Sequence, residues 1–191
     1  VVLTLEHVVI KEAERSFTYF HLYGYPTDLV VANRILPDEV GPFFRGWYEA
    51  QQRYGPLVEQ SFAPIPVLQA PFFDREVVGI PMLTELGTAL YGETDPTVHF
   101  YSGRPYSVVR EGEEFILSVE LPFAMKEEIS LTRHADELLI EVGTWRRNAV
   151  LPRALIGAAT LGARFDDHVL KIRFAAPPPT KAGKARGRHD N

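Results

Sequence analysis

The 191-residue sequence contains no cysteine, which removes disulfides, thiolate catalysis and Cys-ligated zinc at once. It has no apolar stretch near the ~20 residues that a membrane-spanning helix requires, and no signal-peptide pattern opens it. It has no surplus of basic charge: 20 Lys and Arg stand against 25 Asp and Glu, a formal net charge of -5. No region expected to fold carries the basic stripe that phosphate contacts need, so nucleic acid is not an expected partner. The six histidines (His7, His21, His99, His134, His168 and His189) never flank a carboxylate at i, i+4, and no metal site is read from them. There is no G-x-S-x-G nucleophile elbow and no G-x-x-x-x-G-K-S/T phosphate loop. What remains, 46% hydrophobic and 24% charged, is globular material with room for one or two domains. The absence of cysteine fits a reducing compartment, and the expected location is the cytoplasm.

The organising stretch is Leu29-Val30-Val31-Ala32-Asn33-Arg34-Ile35-Leu36-Pro37. Its apolar run does not alternate, which suits a parallel strand covered on both faces. Asn33 follows the run directly, and the carboxyl ends of strands in open α/β sheets form the ligand crevice. Asn33 therefore either reads a ligand or ties up its own loop. Around it the order is strand, helix, strand, helix, strand, helix. Val1 to Leu5 is a short apolar strand, and Ile10, Ala13, Phe17 and Phe20 share one face of a helix closed by Gly24. A second helix is expected from about Glu39 to Phe62, with Phe43, Trp47, Ala50, Tyr54, Val58 and Phe62 as a core stripe. Pro64 to Ala70 is a third strand, and Met82, Leu83, Leu86 and Leu90 mark a third helix ending at Tyr91-Gly92. This alternation predicts part of a wound parallel sheet with right-handed crossovers. The chain opens Val-Val-Leu-Thr-Leu, inside an expected strand and without Met, so a longer parent polypeptide is expected.

Four motifs occur in order across residues 1–92: Glu6-His7-Val8-Val9-Ile10-Lys11-Glu12-Ala13-Glu14-Arg15, Val31-Ala32-Asn33-Arg34-Ile35-Leu36-Pro37, Gln51-Gln52-Arg53-Tyr54, and Pro71-Phe72-Phe73-Asp74-Arg75-Glu76-Val77-Val78-Gly79. Together they resemble the C-terminal half of the ArsA-type P-loop ATPases, which include arsenical pump-driving ATPases and the targeting ATPases for tail-anchored membrane proteins. The resemblance implies that Asn33 reads the adenine of ATP, since a carboxamide matches the N6 and N7 edge of that base. It implies that Pro71, Phe72 and Phe73 cover the base, with Arg34 and Arg75 beside them. Arg34 and Arg75 have a plainer alternative, surface pairing with Asp38 or Asp74. ATP and Mg²⁺ are the cofactors so implied, for the full-length protein. The phosphate loop and the Mg²⁺-binding segments of such ATPases lie upstream, so this chain alone is expected to be inactive in ATP hydrolysis. The implied partners are the N-terminal P-loop half of the same protein, a second copy in a homodimer, and a peripheral membrane transporter or client protein. Eukaryotic-type members carry a Cys-x-x-Cys zinc clip where this sequence has Gly41-Pro42-Phe43-Phe44, so a zinc-bridged dimer is not expected.

Composition changes at Gly92-Glu93-Thr94-Asp95-Pro96, and residues 93–104 read as a linker. From Tyr106 to Phe174 the pattern has period two, over six or seven short strands, which predicts an antiparallel β-sandwich. Phe115-Ile116-Leu117-Ser118-Val119-Glu120-Leu121-Pro122, Leu138-Leu139-Ile140-Glu141 and Ala163-Arg164-Phe165-Asp166-Asp167-His168-Val169-Leu170-Lys171-Ile172 resemble the α-crystallin domain of small heat-shock proteins. Phe123 and His168 stand where that family has Gly. The connection Gly143-Thr144-Trp145-Arg146-Arg147 leaves no room for the loop that swaps a strand between partners. The expected domains are thus 1–92, an ATPase portion, and 105–174, an α-crystallin-like sandwich. Residues 175–191 form a basic, low-complexity tail. The expected function is the adenine side of an ArsA-like anion-transporting or targeting ATPase with an appended sandwich. The alternative is a non-catalytic, chaperone-like interaction module, and a free-standing regulatory protein is a third reading.

Overall fold

A computed structural model describes residues 1–152 and 155–175; the expected tail beyond Ala175 lies outside the described residues. Strands β1 (Val2–Thr4), β2 (Val30–Ile35) and β3 (Val67–Pro71) form a parallel sheet in that order. Helix α1 (His7–Tyr23) joins β1 to β2, α2 (Arg45–Phe62) joins β2 to β3, and α3 (Gly79–Tyr91) follows β3. The α1 face Ile10, Ala13 and Phe17 packs with Val58 and Phe62 of α2 over Leu3, Val30 and Ala32 of the sheet. Phe17 and Phe62 meet edge to face with ring centroids 5.3 Å apart. Gly24 ends α1 at φ 78°, and its N–H bonds back to carbonyls of the last turn. A residue without Cβ adopts that left-handed cap at no steric cost.

Three expectations differ from the structure. The β2 run was expected to be covered on both faces, yet burial alternates along it: Val30 and Ala32 are buried, whereas Val31 and Asn33 are only half-buried. Both crossover helices contribute to one core, α3 buries none of its own residues, and Val2 is 67% exposed. The α2 stripe is core toward its C-terminal end, with Val58 and Phe62 buried and Tyr54 packed against the same cluster, while Phe43 is 84% exposed. The helix also starts later than Glu39. Pro42 opens a 3-10 turn over Pro42–Phe44, where its missing N–H would be unpaired in any case.

Residues 93–104 hold no helix or strand. Then seven strands build two antiparallel sheets. One has the order β4 (Tyr106–Glu111), β5 (Glu114–Glu120), β10 (Val169–Ala175), β9 (Thr160–Asp166). The other runs β6 (Ile129–His134), β7 (Glu137–Val142), β8 (Trp145–Val150). Leu117, Val119, Ile172 and Phe174 of the first sheet face Leu138, Ile140 and Val142 of the second in one core. Strand β8 pairs with β7 of its own chain across the tight turn at Gly143, φ 58°. Phe123 and His168 keep the left-handed backbone that glycine would favour, at φ 64° and 59°.

The two halves meet along α1. Leu22, at the end of that helix, is fully buried in the sandwich core. Tyr23 Oη donates to the Arg146 carbonyl at 2.9 Å, the Thr18 hydroxyl donates to the Pro122 carbonyl, and the Arg147 guanidinium donates to the Leu22 carbonyl. Tyr19 lies against Trp145 with centroids 4.4 Å apart, and Phe123 reaches across to Phe17 and Phe62. The sandwich is therefore seated on α1 by both apolar and polar contacts.

Candidate functional site

The end of β2 departs from regular pairing where the sequence singled out Asn33. Register with β3 holds through Ala32 opposite Gln69 and resumes at Ile35 opposite Pro71. Two residues, Asn33 and Arg34, thus stand against one, Ala70. Such a bulge turns side chains away from the regular pleat and is common beside functional sites. Arg34 sits at φ 61°, and its N–H donates to Asn33 Oδ1 at 2.9 Å. That bond orients the carboxamide and identifies its oxygen. On the β3 side, Phe72 N–H donates to the Ile35 carbonyl at 2.8 Å, which ties the following loop to the bulged strand.

Asn33, Arg34, Pro71, Phe72 and Phe73 all line one open cavity of about 550 Å³, with Leu86 of α3 and Arg75 on its rim. All five residues selected from the sequence are therefore brought together. Phe72 is 47% exposed, while Pro71 and Phe73 are half-buried. Arg75 lies 3.8 Å from Asp74 and 3.7 Å from Glu85 on the surface. Asp38 accepts from Tyr48 Oη at 2.9 Å. The lining combines a carboxamide with donor and acceptor at one edge, proline and phenylalanine rings, and the charged side chains of Arg34, Asp74, Arg75 and Glu76.

A second, smaller cavity of about 240 Å³ lies between the halves, lined by Phe17, His21, Phe62, Tyr101, Glu120 and His168 among others. His21 is buried, and its Nδ1 lacks a hydrogen-bond partner; Glu120 Oε2 stands 3.7 Å away, beyond bonding distance. Burial lowers the His21 pKa to about 4 against a smaller opposing contribution from the Glu120 backbone, and burial raises that of the Glu120 carboxyl. Sequence reasoning passed over this pair because the two residues are far apart in the chain. The only local signal was a histidine one turn after Phe17 on the apolar face of α1. Among the described residues, no cluster of three or more His, Asp or Glu side chains is arranged to hold a metal ion, and no helix is long and apolar enough to cross a membrane.

Comparison with known proteins adds to this geometry. Residues 1–92 match the family described as anion-transporting ATPase, and residues 112–174 match the HSP20-like domain found in ArsA. A protein of Aquifex aeolicus provisionally named arsenical pump-driving ATPase 1 is 34% identical over 155 residues, covering 78% of this chain and 39% of that protein. One of Chlorobaculum tepidum, provisionally named arsenical pump-driving ATPase, is 34% identical over 174 residues, covering 91% of this chain and 43% of its own length. The chain thus spans about two fifths of the length of these relatives. Among solved structures, a small heat shock protein from Synechococcus phage S-ShM2 is similar at 16% identity and a TM-score of 0.32, over 39% of this chain and 96% of that one.

Proposed function

We propose, for a chain that belongs over residues 1–92 to the ArsA-type anion-transporting ATPases and carries over 112–174 the HSP20-like domain found in ArsA, that the cavity of Asn33 and Phe72 takes the adenine ring of ATP. The observation that carries the reading is the convergence of Asn33, Arg34, Pro71, Phe72 and Phe73 on one cavity, with the Asn33 carboxamide already oriented. Oδ1 accepts from the adenine N6 amine with its second lone pair, and Nδ2 donates to N7. Phe72 and Pro71 supply stacking, worth on the order of 1–3 kcal/mol for a base on an aromatic ring in nucleic-acid systems.

This chain contains no phosphate-loop sequence, so its part in the reaction is to bind and orient the base. Triphosphate binding, Mg²⁺ and hydrolysis fall to the N-terminal P-loop half in this reading. That half extends the parallel sheet, and support comes from β1, which ends the three-strand order with Val2 67% exposed. The full-length protein is, in the same reading, a cytoplasmic ATPase acting as a homodimer with a peripheral membrane transporter or client protein. Titrating the full-length protein with ATP tests the base site. Asn33→Ala is expected to weaken binding about tenfold, the size of one to two hydrogen bonds, and unchanged affinity removes the base-reading role.

A second reading makes the sandwich a chaperone-like interaction module. It is favoured by Val109 and Leu161, about half exposed on β4 and β9, the two edge strands of the four-stranded sheet. Suppression of aggregation of a heated client by the full-length protein checks it; no protection counts against it.

A further inference from the structure

The bulge that presents Asn33 does not hold itself in place. Arg34 is a non-glycine residue in the left-handed region, a conformation that costs about 1–2 kcal/mol unless its surroundings impose it. Its surroundings include one side chain from another element. Gln51, half-buried in the first half of α2, donates from Nε2 to the Arg34 carbonyl at 2.9 Å. The same carboxamide accepts from the Leu36 N–H at 2.9 Å through Oε1. The two bonds bracket Ile35, whose carbonyl receives the Phe72 N–H. One glutamine thereby closes the open side of the bulge, and both walls of the cavity hang from the backbone it clamps.

We infer that Gln51 is a positioning residue for base selectivity. It acts through Arg34 and Ile35 rather than by touching the nucleotide, and fixes the angle at which the Asn33 carboxamide meets the base edge. The inference rests on the adenine reading of the cavity. Its chemistry is specific. With the backbone held, Asn33 Oδ1 keeps its bond to the Arg34 N–H and its remaining lone pair faces an amine, as adenine N6 supplies. Guanine would present its O6 acceptor to that same oxygen, and two acceptors facing each other are left unpaired. With the clamp removed, Arg34 can leave its left-handed state, the Asn33 amide turns freely, and the site loses its means of telling the two bases apart.

The test measures the affinities of the full-length protein for ATP and GTP and takes their ratio, with thermal unfolding as a control on folding. Gln51→Ala is expected to weaken ATP binding about tenfold while GTP changes little, the fold-change expected for two neutral hydrogen bonds relayed to the base edge. Gln51→Glu keeps the length and the acceptor to Leu36 N–H but has no donor for the Arg34 carbonyl, so the ratio is expected to fall there too, in a variant that folds if Gln51→Ala does not. Asn33→Ala is the reference arm. If Asn33→Ala lowers the ratio while folded Gln51 variants keep the native ratio, the positioning role is overturned and the adenine reading stands. If Asn33→Ala leaves the ratio unchanged, the adenine reading itself fails, and the role of Gln51 with it.

Discussion

Strands β2 and β10 carry comparable apolar side chains and bury them differently. In β10, Leu170, Ile172 and Phe174 point into the sandwich while Lys171 and Arg173 point out, so one buried face accounts for the whole strand. In β2 the sequence Val30-Val31-Ala32 has no polar alternate, yet only Val30 and Ala32 are fully buried. Among the described residues the sandwich core draws on its own strands and loops and on Leu22 of α1, whereas the parallel sheet leaves Val2 and Val31 without comparable cover. The difference separates a domain that closes on itself from a sheet that suits further strands and helices. In our reading, the phosphate-binding half supplies them.

The largest effect is expected where the sandwich is most self-sufficient. Phe174→Ala should cost about 3–5 kcal/mol in urea denaturation, through lost burial and the cavity left behind. Val31→Ala is its counterpart in the sheet and should cost under about 1 kcal/mol in this chain, rising in the full-length protein. Equal costs in this chain would break the contrast. Leu22→Ala follows at about 2–5 kcal/mol, and because Leu22 belongs to one half and packs in the other, it should lower the unfolding transitions of both. A shift confined to the sheet half would show that the seat on α1 is not energetic. Phe72→Ala removes the proposed stacking ring and should lower nucleotide affinity by about 1–3 kcal/mol, while urea stability stays within about 0.5 kcal/mol.

A pH-dependent effect is expected at the joint between the halves. His21 is held neutral by burial, with its pKa lowered to about 4, so between the unfolded value near 6.5 and about pH 4 the unfolded chain binds more protons than the folded one. The His21 contribution therefore falls as pH drops through that window and is flat below it. Glu120, raised by burial, has the opposite sign above its ordinary value of 4.5, but its carboxylate is half exposed and acts more weakly. His21→Leu should flatten the dependence of melting temperature on pH across 4 to 6.5 and gain about 1 kcal/mol by removing an unpaired buried nitrogen. A pH profile identical to that of the native protein would mean another group governs the joint.

Much of this arrangement was legible because period and punctuation are local. The alternation of β10 and the Gly24 cap were read from neighbouring residues, whereas the motif Pro71-Phe72-Phe73 was read through its resemblance to the ArsA-type ATPases. The helical spacing of Trp47 and Val58 gave the right face of α2 but not the burial along it, because spacing cannot report whether anything packs against that face within the chain. The bulge at Asn33-Arg34 was hidden for a related reason. A change of register depends on the strand beside it and on Gln51 from α2, neither of which is near in sequence. The His21–Glu120 joint likewise exists only once α1 is seated on the sandwich.

A crystal structure of the full-length protein with an adenine nucleotide bound is the sharpest test of the base site. The base is expected between Phe72 and the bulge, with the Asn33 carboxamide within ~3.2 Å of both N6 and N7. A nucleotide bound with its base outside that cavity, and Asn33 still turned only to its own backbone, would contradict it.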